Sequence, residues 1–436
     1  MFVTAGMFMF TVVVACAAFS VGNFTAGIVV DKYGPTVASV IHSVLVPIAM
    51  LCFGLASADQ YGIFMIGGVC MGLGGSFVLL NSFPLAFLST GNNSALIMAA
   101  ANCLFDASAS IFLPLYILYH DAKVGRAHIF VGFAVISVML SVMIVPLWFM
   151  VEGRSSDDVK SEDLLPDSNS PAEQSMPSPI VKLVASSIEL AAVVTTCEAG
   201  PNAGGEGFPV SWEGSPSASP VPTTTAPLVG EDLAVNAHWA THLFGAKFWF
   251  ITGMYTLQSI RAVMYMVVVL SILKSLGDER YDFLFTQMYA AGLSSSFLFI
   301  GLIHRTYDYI GMQKCFHVVN ALGFVWGIIA VIPVLELQVV GFVAFYIYRA
   351  YLYSLVGMYF AEVFGPGLSG RLYGAANLFC GAVLLIQYPA YYVTVAYANS
   401  NYTYLNIFTL VINIVCTVFA EVAYPLAEIL PAETRW

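Results

Sequence analysis

The chain has 436 residues, 59% of them hydrophobic and 9% charged, with a mean hydropathy of +0.83. An ordinary soluble domain carries about 25% charged residues, so that class is excluded. The net charge of −11 is local: residues 151–240 hold 13 of the 26 acids and only three bases, so the acidity describes one segment and no preference for a basic partner.

Runs of about 20 apolar residues recur along the chain, the length an α-helix needs to cross a bilayer with its backbone bonded internally. The alternating segments of about 10 residues that build membrane barrels are absent. Spans are predicted over 6–30, 36–57, 61–83, 94–119 and 127–150, then over 244–273, 284–303, 314–335, 338–361, 371–397 and 404–430. The chain is therefore expected to be an all-α membrane protein with an N-terminal transmembrane part (1–150), a linker (151–240) and a C-terminal transmembrane part (241–436). The linker holds ten of the twenty prolines and is rich in Ser, Thr, Gly and Glu. Such a composition predicts disorder, with one short surface helix over 180–196.

The eight cysteines fall mostly within apolar spans, without a CxxC pair or a His/Cys cluster, and read as small buried hydrophobes. Orientation follows from Lys and Arg. With the loop after the first span in the cytoplasm, Lys32, Arg154, Lys160, Lys182, Lys247, Arg305, Lys314, Arg371 and Arg435 lie inside, against Lys123, Arg126, Lys274 and Arg280 outside. The sequon Asn401-Tyr402-Thr403 then faces out.

A short pattern occurs twice, 277 positions apart: Gly27-x-x-x-Asp31-Lys32-x-Gly34 and His304-x-x-x-Asp308-x-x-Gly311. Each copy joins one span to the next, as in a duplicated transporter. The first copy resembles the signature loop between helices two and three of the major facilitator superfamily, although Pro35 and Thr36 stand where that signature has basic residues. Within the superfamily the chain is similar to the L-type large neutral amino acid facilitators and their protist relatives, through Gly72-Leu73-Gly74-Gly75-Ser76, Phe105-Asp106-Ala107-Ser108-Ala109-Ser110, Gln258-Ser259-Ile260-Arg261-Ala262-Val263-Met264-Tyr265 and Gln387-Tyr388-Pro389. The resemblance implies two six-helix halves, a central cavity lined by helices one, four, seven and ten, uniport of neutral amino acids and no cofactor. It implies a plasma-membrane location by default, with the lipid bilayer and a small solute as partners and no nucleic acid. The register also places one helix of the twelve-helix plan before Met1, so the sequence is expected to lack the first of them.

Ionisable residues inside a bilayer are costly and default to function. Asp106, Arg261 and Arg349 fall near the middle of their spans. A guanidinium can grip a carboxylate with two parallel hydrogen bonds. Gln258, Arg261 and Tyr265 share a helical face by i, i+3 and i+4 spacing, which could join an anchor to an aromatic wall. Arg349 is the second candidate anchor. Each arginine could instead be structural, paired with a carbonyl or with Asp106, and Asp106 could pair or exchange a proton. Gly74, Gly75 and Ser76, with Gly72, could leave room for substrate backbone or only pack helices, and Asn81 is a further polar candidate. Gly27, Asp31, Lys32 and Gly34, with Asp308 and Gly311, are expected to gate the cytoplasmic side, Asp31 meeting Arg371 and the helix start beside it. An organic-anion carrier is the runner-up among transporters. A non-transporting receptor signalling through 151–240 is the alternative of a different class.

Overall fold

A computed structural model describes residues 2–57, 61–88, 94–162, 239, 241–387, 389–390, 393–394 and 402–429. The expected disordered linker falls mostly on 163–238, outside the described residues, as do the 180–196 helix and Asn401.

The described residues are almost wholly helical: α1 (Phe2–Leu55), α2 (Tyr61–Leu80), α3 (Phe83–Leu88), α4 (Ser94–Ala107), α5 (Phe112–His120), α6 (Arg126–Glu162), α7 (Ala246–Ser275), α8 (Leu284–Gly292), α9 (Ile300–Val331), α10 (Leu337–Phe364), α11 (Ser369–Leu384) and α12 (Thr403–Ile429). Two of these are bent double. Gly34 (φ 83°, ψ 169°) interrupts α1 and Gly311 (φ 78°, ψ 171°) interrupts α9. A side chain is strongly disfavoured at these angles, so glycine lets one pass end and the next begin without a loop. The repeated sequence pattern is thus a repeated backbone turn.

The turns at Gly34 and Gly311 divide α1 and α9 into two legs each. Among the described residues, seven helices are long and apolar enough to cross a membrane: Val13–Leu55, Tyr61–Leu88, Arg126–Gly153, Ala246–Ser275, Ser295–Val331, Leu337–Phe364 and Thr403–Pro425. The segments over the fourth (94–120), seventh (284–310) and tenth (369–394) expected spans are interrupted at mid-course. Helix α6 continues to Glu162, into the first part of the acidic segment.

The surfaces are those of a protein dissolved in lipid. Met139, Val142, Met143 and Phe149 of α6 are 64–70% exposed, a continuous apolar face that water would not tolerate. The chain is a multi-pass integral membrane protein. Helices α1–α6 form one half and α7–α12 the other. They meet along two seams: the first pass of α1 against α11, and α4 against α10, α9 and the turn before α9. The end of the molecule that carries Gly34 and Gly311 is termed the basal end, and the opposite end the far end.

Candidate functional site at the seams

The first seam is a close approach of backbones. A Cβ on Gly27 would collide with the carbonyl of Gly370, one on Gly374 with the carbonyl of Asn23, and one on Gly381 with the hydroxyl of Ser20. Glycine at these positions lets α1 and α11 touch over more than two turns. At the basal end Asp31, 5% exposed, accepts the backbone N–H of Arg371 at 2.8 Å, with the Arg371 Nε 3.7 Å away. A carboxylate at a helix N-terminus completes otherwise unpaired N–H groups. Lys32 stands outside this contact, its Nζ over the ring of Tyr33. The second copy of the pattern is used differently. Asp308 is 40% exposed and faces His304 of its own helix at 3.3 Å, and Gly311 has open space around it.

The second seam carries charge. Asp106 of α4 pairs with Arg349 of α10, and its other oxygen accepts the hydroxyl of Ser296, which lies in the 3₁₀ turn Ser295–Phe299 between α8 and α9. The three residues come from opposite halves and lie near the middle of their passes. The side chains of Arg349 and Asp106 are 10% and 18% exposed. The guanidinium rests over the Tyr353 ring at 5.6 Å, and its Nε has no partner among the described residues. Basal to this pair the seam is neutral: Cys103 Sγ lies 3.4 Å from Ser354 Oγ, and Asn102 sits against Gly357.

No protein-family model matches the sequence, and neither does any curated protein. Among solved structures the chain is similar to the proton:xylose symporter XylE of the major facilitator superfamily, bound to 6-bromo-6-deoxy-D-glucose. The TM-score is 0.58 over 97% of this chain and 86% of that one, at 14% identity. The chain has the major facilitator fold. At that identity the likeness is one of fold alone.

Within the major facilitator fold, the structure divides the expected site residues into three groups. Asp106 and Arg349 meet between the halves, as above. Arg261 does not face them. It is fully buried inside the second half, where Nε donates to the Thr409 carbonyl (2.8 Å), Nη1 to Gln258 Oε1 and Asn413 Oδ1 (2.6 Å each), and Nη2 to the Gly323 carbonyl (2.9 Å). Trp326 and Tyr348 cover it at 5.0 and 5.4 Å. A cation in a low-dielectric interior needs such a shell of acceptors and π faces. The expected anchor is therefore turned toward α9, α10 and α12, with four of its five N–H groups engaged. Gln258 belongs to the same network, donating to Asn320 Oδ1 at 2.5 Å and accepting from Tyr348 at 2.8 Å. Tyr265 packs edge-on against Phe345 and Trp326 at 4.8 and 5.0 Å. The shared face read from the helical spacing is real, but it looks into the half rather than between the halves.

The third group holds the first half together. Gly72 lies on the Ala15 carbonyl and Gly74 on Val46, while Ser76 donates to the Phe19 and Gly72 carbonyls at 2.8 and 2.9 Å. Of these only Gly75 looks toward the seam, with the stacked rings of Phe19 and Phe105 about 4 Å from its open side. Asn81 is buried at the basal turn. With its amide oriented to satisfy both ends, it donates to the Pro35 carbonyl (2.8 Å) and accepts from Ser39 (2.8 Å) and Trp148 (3.1 Å). Beside it, Glu152 accepts the Thr36 N–H at 3.0 Å and closes over Gly34. Asn81 thus clasps a turn and reaches no space between the halves.

Sequence reasoning missed Ser296, a small hydroxyl in an apolar run. It also missed a second internal repeat. Ala100-Ala101-Asn102, Ala107 and Pro114 recur 275 positions later as Ala375-Ala376-Asn377, Ala382 and Pro389. Both asparagines donate to the carbonyl four residues back at 2.9 Å. In this repeat Asp106 corresponds to Gly381, so Asp106 against Ser296 and Gly381 against Ser20 are equivalent places on the two seams.

Proposed function

We propose that the protein is a membrane carrier that moves small solutes by alternating exposure of the space between its two halves, and that its substrates are neutral amino acids. The observation that carries this is Arg349. It lies between the halves near mid-depth, is nine-tenths buried, and leaves Nε unpartnered. A buried donor without a partner costs about 1–3 kcal/mol, and a carboxylate would fill Nε and a neighbouring N–H bidentately. Asp106 beside it offers the complementary charge for an ammonium group, and Ser296 a hydroxyl. Interrupted passes at mid-depth suit this role, because non-helical backbone is tolerated in a membrane where it lines a solute site. The amino acid facilitator resemblance of the sequence points to the same class.

The test is uptake of labelled L-leucine into proteoliposomes. Competition by L-phenylalanine but not by lactate is expected, with uptake lost in Arg349→Met and partly kept in Arg349→Lys. Competition by lactate and not by amino acids would overturn the substrate class in favour of an organic-anion carrier, which the free donors of Arg349 alone would also suit. A carrier should largely keep its uptake with residues 163–238 deleted, whereas no uptake by the parent would favour a receptor.

A further inference from the structure

Arg261 carries a full charge at the middle of α7, buried in the second half and aimed away from the seams. The side chains around it close into a ring. Gln258 Nε2 donates to Asn320 Oδ1 at 2.5 Å and Asn413 Nδ2 to the Asn320 carbonyl at 2.9 Å, while Arg261 Nη1 donates to both Gln258 and Asn413. The ring ties α7 to α9 and α12. A hydrogen bond with one charged member is about twice as strong as a neutral one. The guanidinium therefore holds the side-chain oxygen of Gln258 firmly in place.

Helix α10 is attached to this ring through one hydroxyl. Tyr348, fully buried, donates to Gln258 Oε1 at 2.8 Å, with the Gln258 carbonyl 3.0 Å away. Its ring stacks on Trp326 at 5.3 Å. Two further phenols tether the same helix. Tyr346 donates to the Tyr289 carbonyl of α8 at 2.8 Å, and the Tyr351 hydroxyl meets Thr306 Oγ1 of α9 at 2.7 Å. At about 100° per residue, these three tyrosines leave one arc of about 160° around α10. Arg349 stands in that arc, one residue after Tyr348, and Asp106 receives it from the other half. The rotation of α10 therefore decides where the guanidinium goes. Side-chain tips lie about 5–6 Å from a helix axis, so a turn of about 20° moves them about 2 Å. A binding constellation must be held to about 0.5 Å.

We propose that Tyr348 is a positioning residue for the site between the halves. Bonded to Gln258, which Arg261 fixes, it sets the rotation of α10 that presents Arg349 to Asp106 and to the solute. The mid-span cation of α7 thus serves the site from behind, through one phenol, without facing it. The effect on solute rests on the carrier reading, whereas the rotation rests on the geometry alone.

Native Cys103 of α4 lies 3.4 Å from the Ser354 hydroxyl of α10 across the seam. Ser354→Cys therefore makes a disulfide pair whose formation depends on how α10 is turned. The full-length chain carries a protease site within 163–238, so that after cleavage only cross-linked halves stay together on a denaturing gel. The same chain without Ser354→Cys gives the background. With copper-phenanthroline and no solute, Tyr348→Phe and, separately, Gln258→Leu should slow oxidation of the folded protein about tenfold. Without Ser354→Cys, the same two variants should raise the KM for L-leucine about tenfold, a loss of about 1.4 kcal/mol, with little change in maximal rate. Spin labels at Val37→Cys and Tyr309→Cys, with Cys16 and Cys197 replaced by serine, should keep their inter-half distance. Oxidation and KM at parent values in both variants would overturn the proposal and leave Tyr348 a packing residue. Slower oxidation with an unchanged KM, or with a changed inter-half distance, would overturn it as well. If oxidation slows at a constant inter-half distance but the parent takes up no L-leucine, the rotation of α10 stands and the amino acid reading fails.

Discussion

The two seams occupy equivalent places in a duplicated chain and are built from opposite chemistry. Where α1 meets α11, Gly27, Gly370 and Gly374 bring backbone against backbone, and the contact at the repeat position is a serine hydroxyl over Gly381. Where α4 meets the second half, the same position holds Asp106, the partner serine is Ser296, and Arg349 is added from α10. A glycine seam depends on shape and tolerates no added atom. A charged seam depends on pairing and loses heavily when one partner goes. The difference shows how one ancestral contact can serve as a packed joint in one copy and as a polar site in the other.

The sharpest way to break the comparison is to remove one charge. Leaving a buried charge without its partner costs about 3–5 kcal/mol. Arg349→Met or Asp106→Ala should therefore lower the melting temperature markedly and abolish uptake. The double variant Asp106→Asn, Arg349→Gln should recover much of the stability without the transport. A double variant destabilised by the sum of the two single losses in thermal unfolding would show that the pair is not coupled.

How much of this was legible in the sequence differs by level. Span order and the two glycine turns were open to reading because apolar length and a repeated Gly-Asp pattern are local signals. The direction in which a mid-span arginine points is not local. Arg261 and Arg349 look alike in sequence. One is surrounded by Gln258, which the spacing within α7 reveals, and by Asn413 and the Gly323 and Thr409 carbonyls from two other helices, which it does not. Asn81 and Ser76 were legible as polar residues in a span but not as clasps on their own half. The Asn102 and Asn377 repeat was present in the sequence and is confirmed by matching hydrogen bonds. On this account Arg261→Met should strip acceptors from the second half and lower stability by several kcal/mol, since each buried group left unpaired costs about 1–3 kcal/mol. The inter-half distance at Val37 and Tyr309 should stay unchanged in the folded fraction.

A smaller effect is expected on the glycine seam. Gly27→Val and Gly374→Val place atoms into the carbonyls of Gly370 and Asn23. Overpacking of this kind costs about 1–3 kcal/mol. Because the clash exists only while α1 and α11 touch, the penalty falls on the basally closed form. Labelling of a cysteine at Ser20 by a water-soluble maleimide from the basal side should rise in both variants. Unchanged labelling would mean that the seam does not part.

The smallest contrast separates the two copies of the turn. Gly34 and Gly311 have nearly the same backbone angles, so alanine at either should cost about 1–3 kcal/mol in strain. Their surroundings differ. A methyl group at 311 meets open space, whereas one at 34 collides with the Glu152 carboxylate that holds the Thr36 N–H. Gly34→Ala should therefore destabilise more than Gly311→Ala. Glu152→Ala loses the Thr36 bond by itself, so its effect and that of Gly34→Ala should fail to add, with the double variant less damaged than the sum. Strict additivity in thermal unfolding would mean that Glu152 and Gly34 act independently. The two turns would then differ in sequence context alone and not in how they are held.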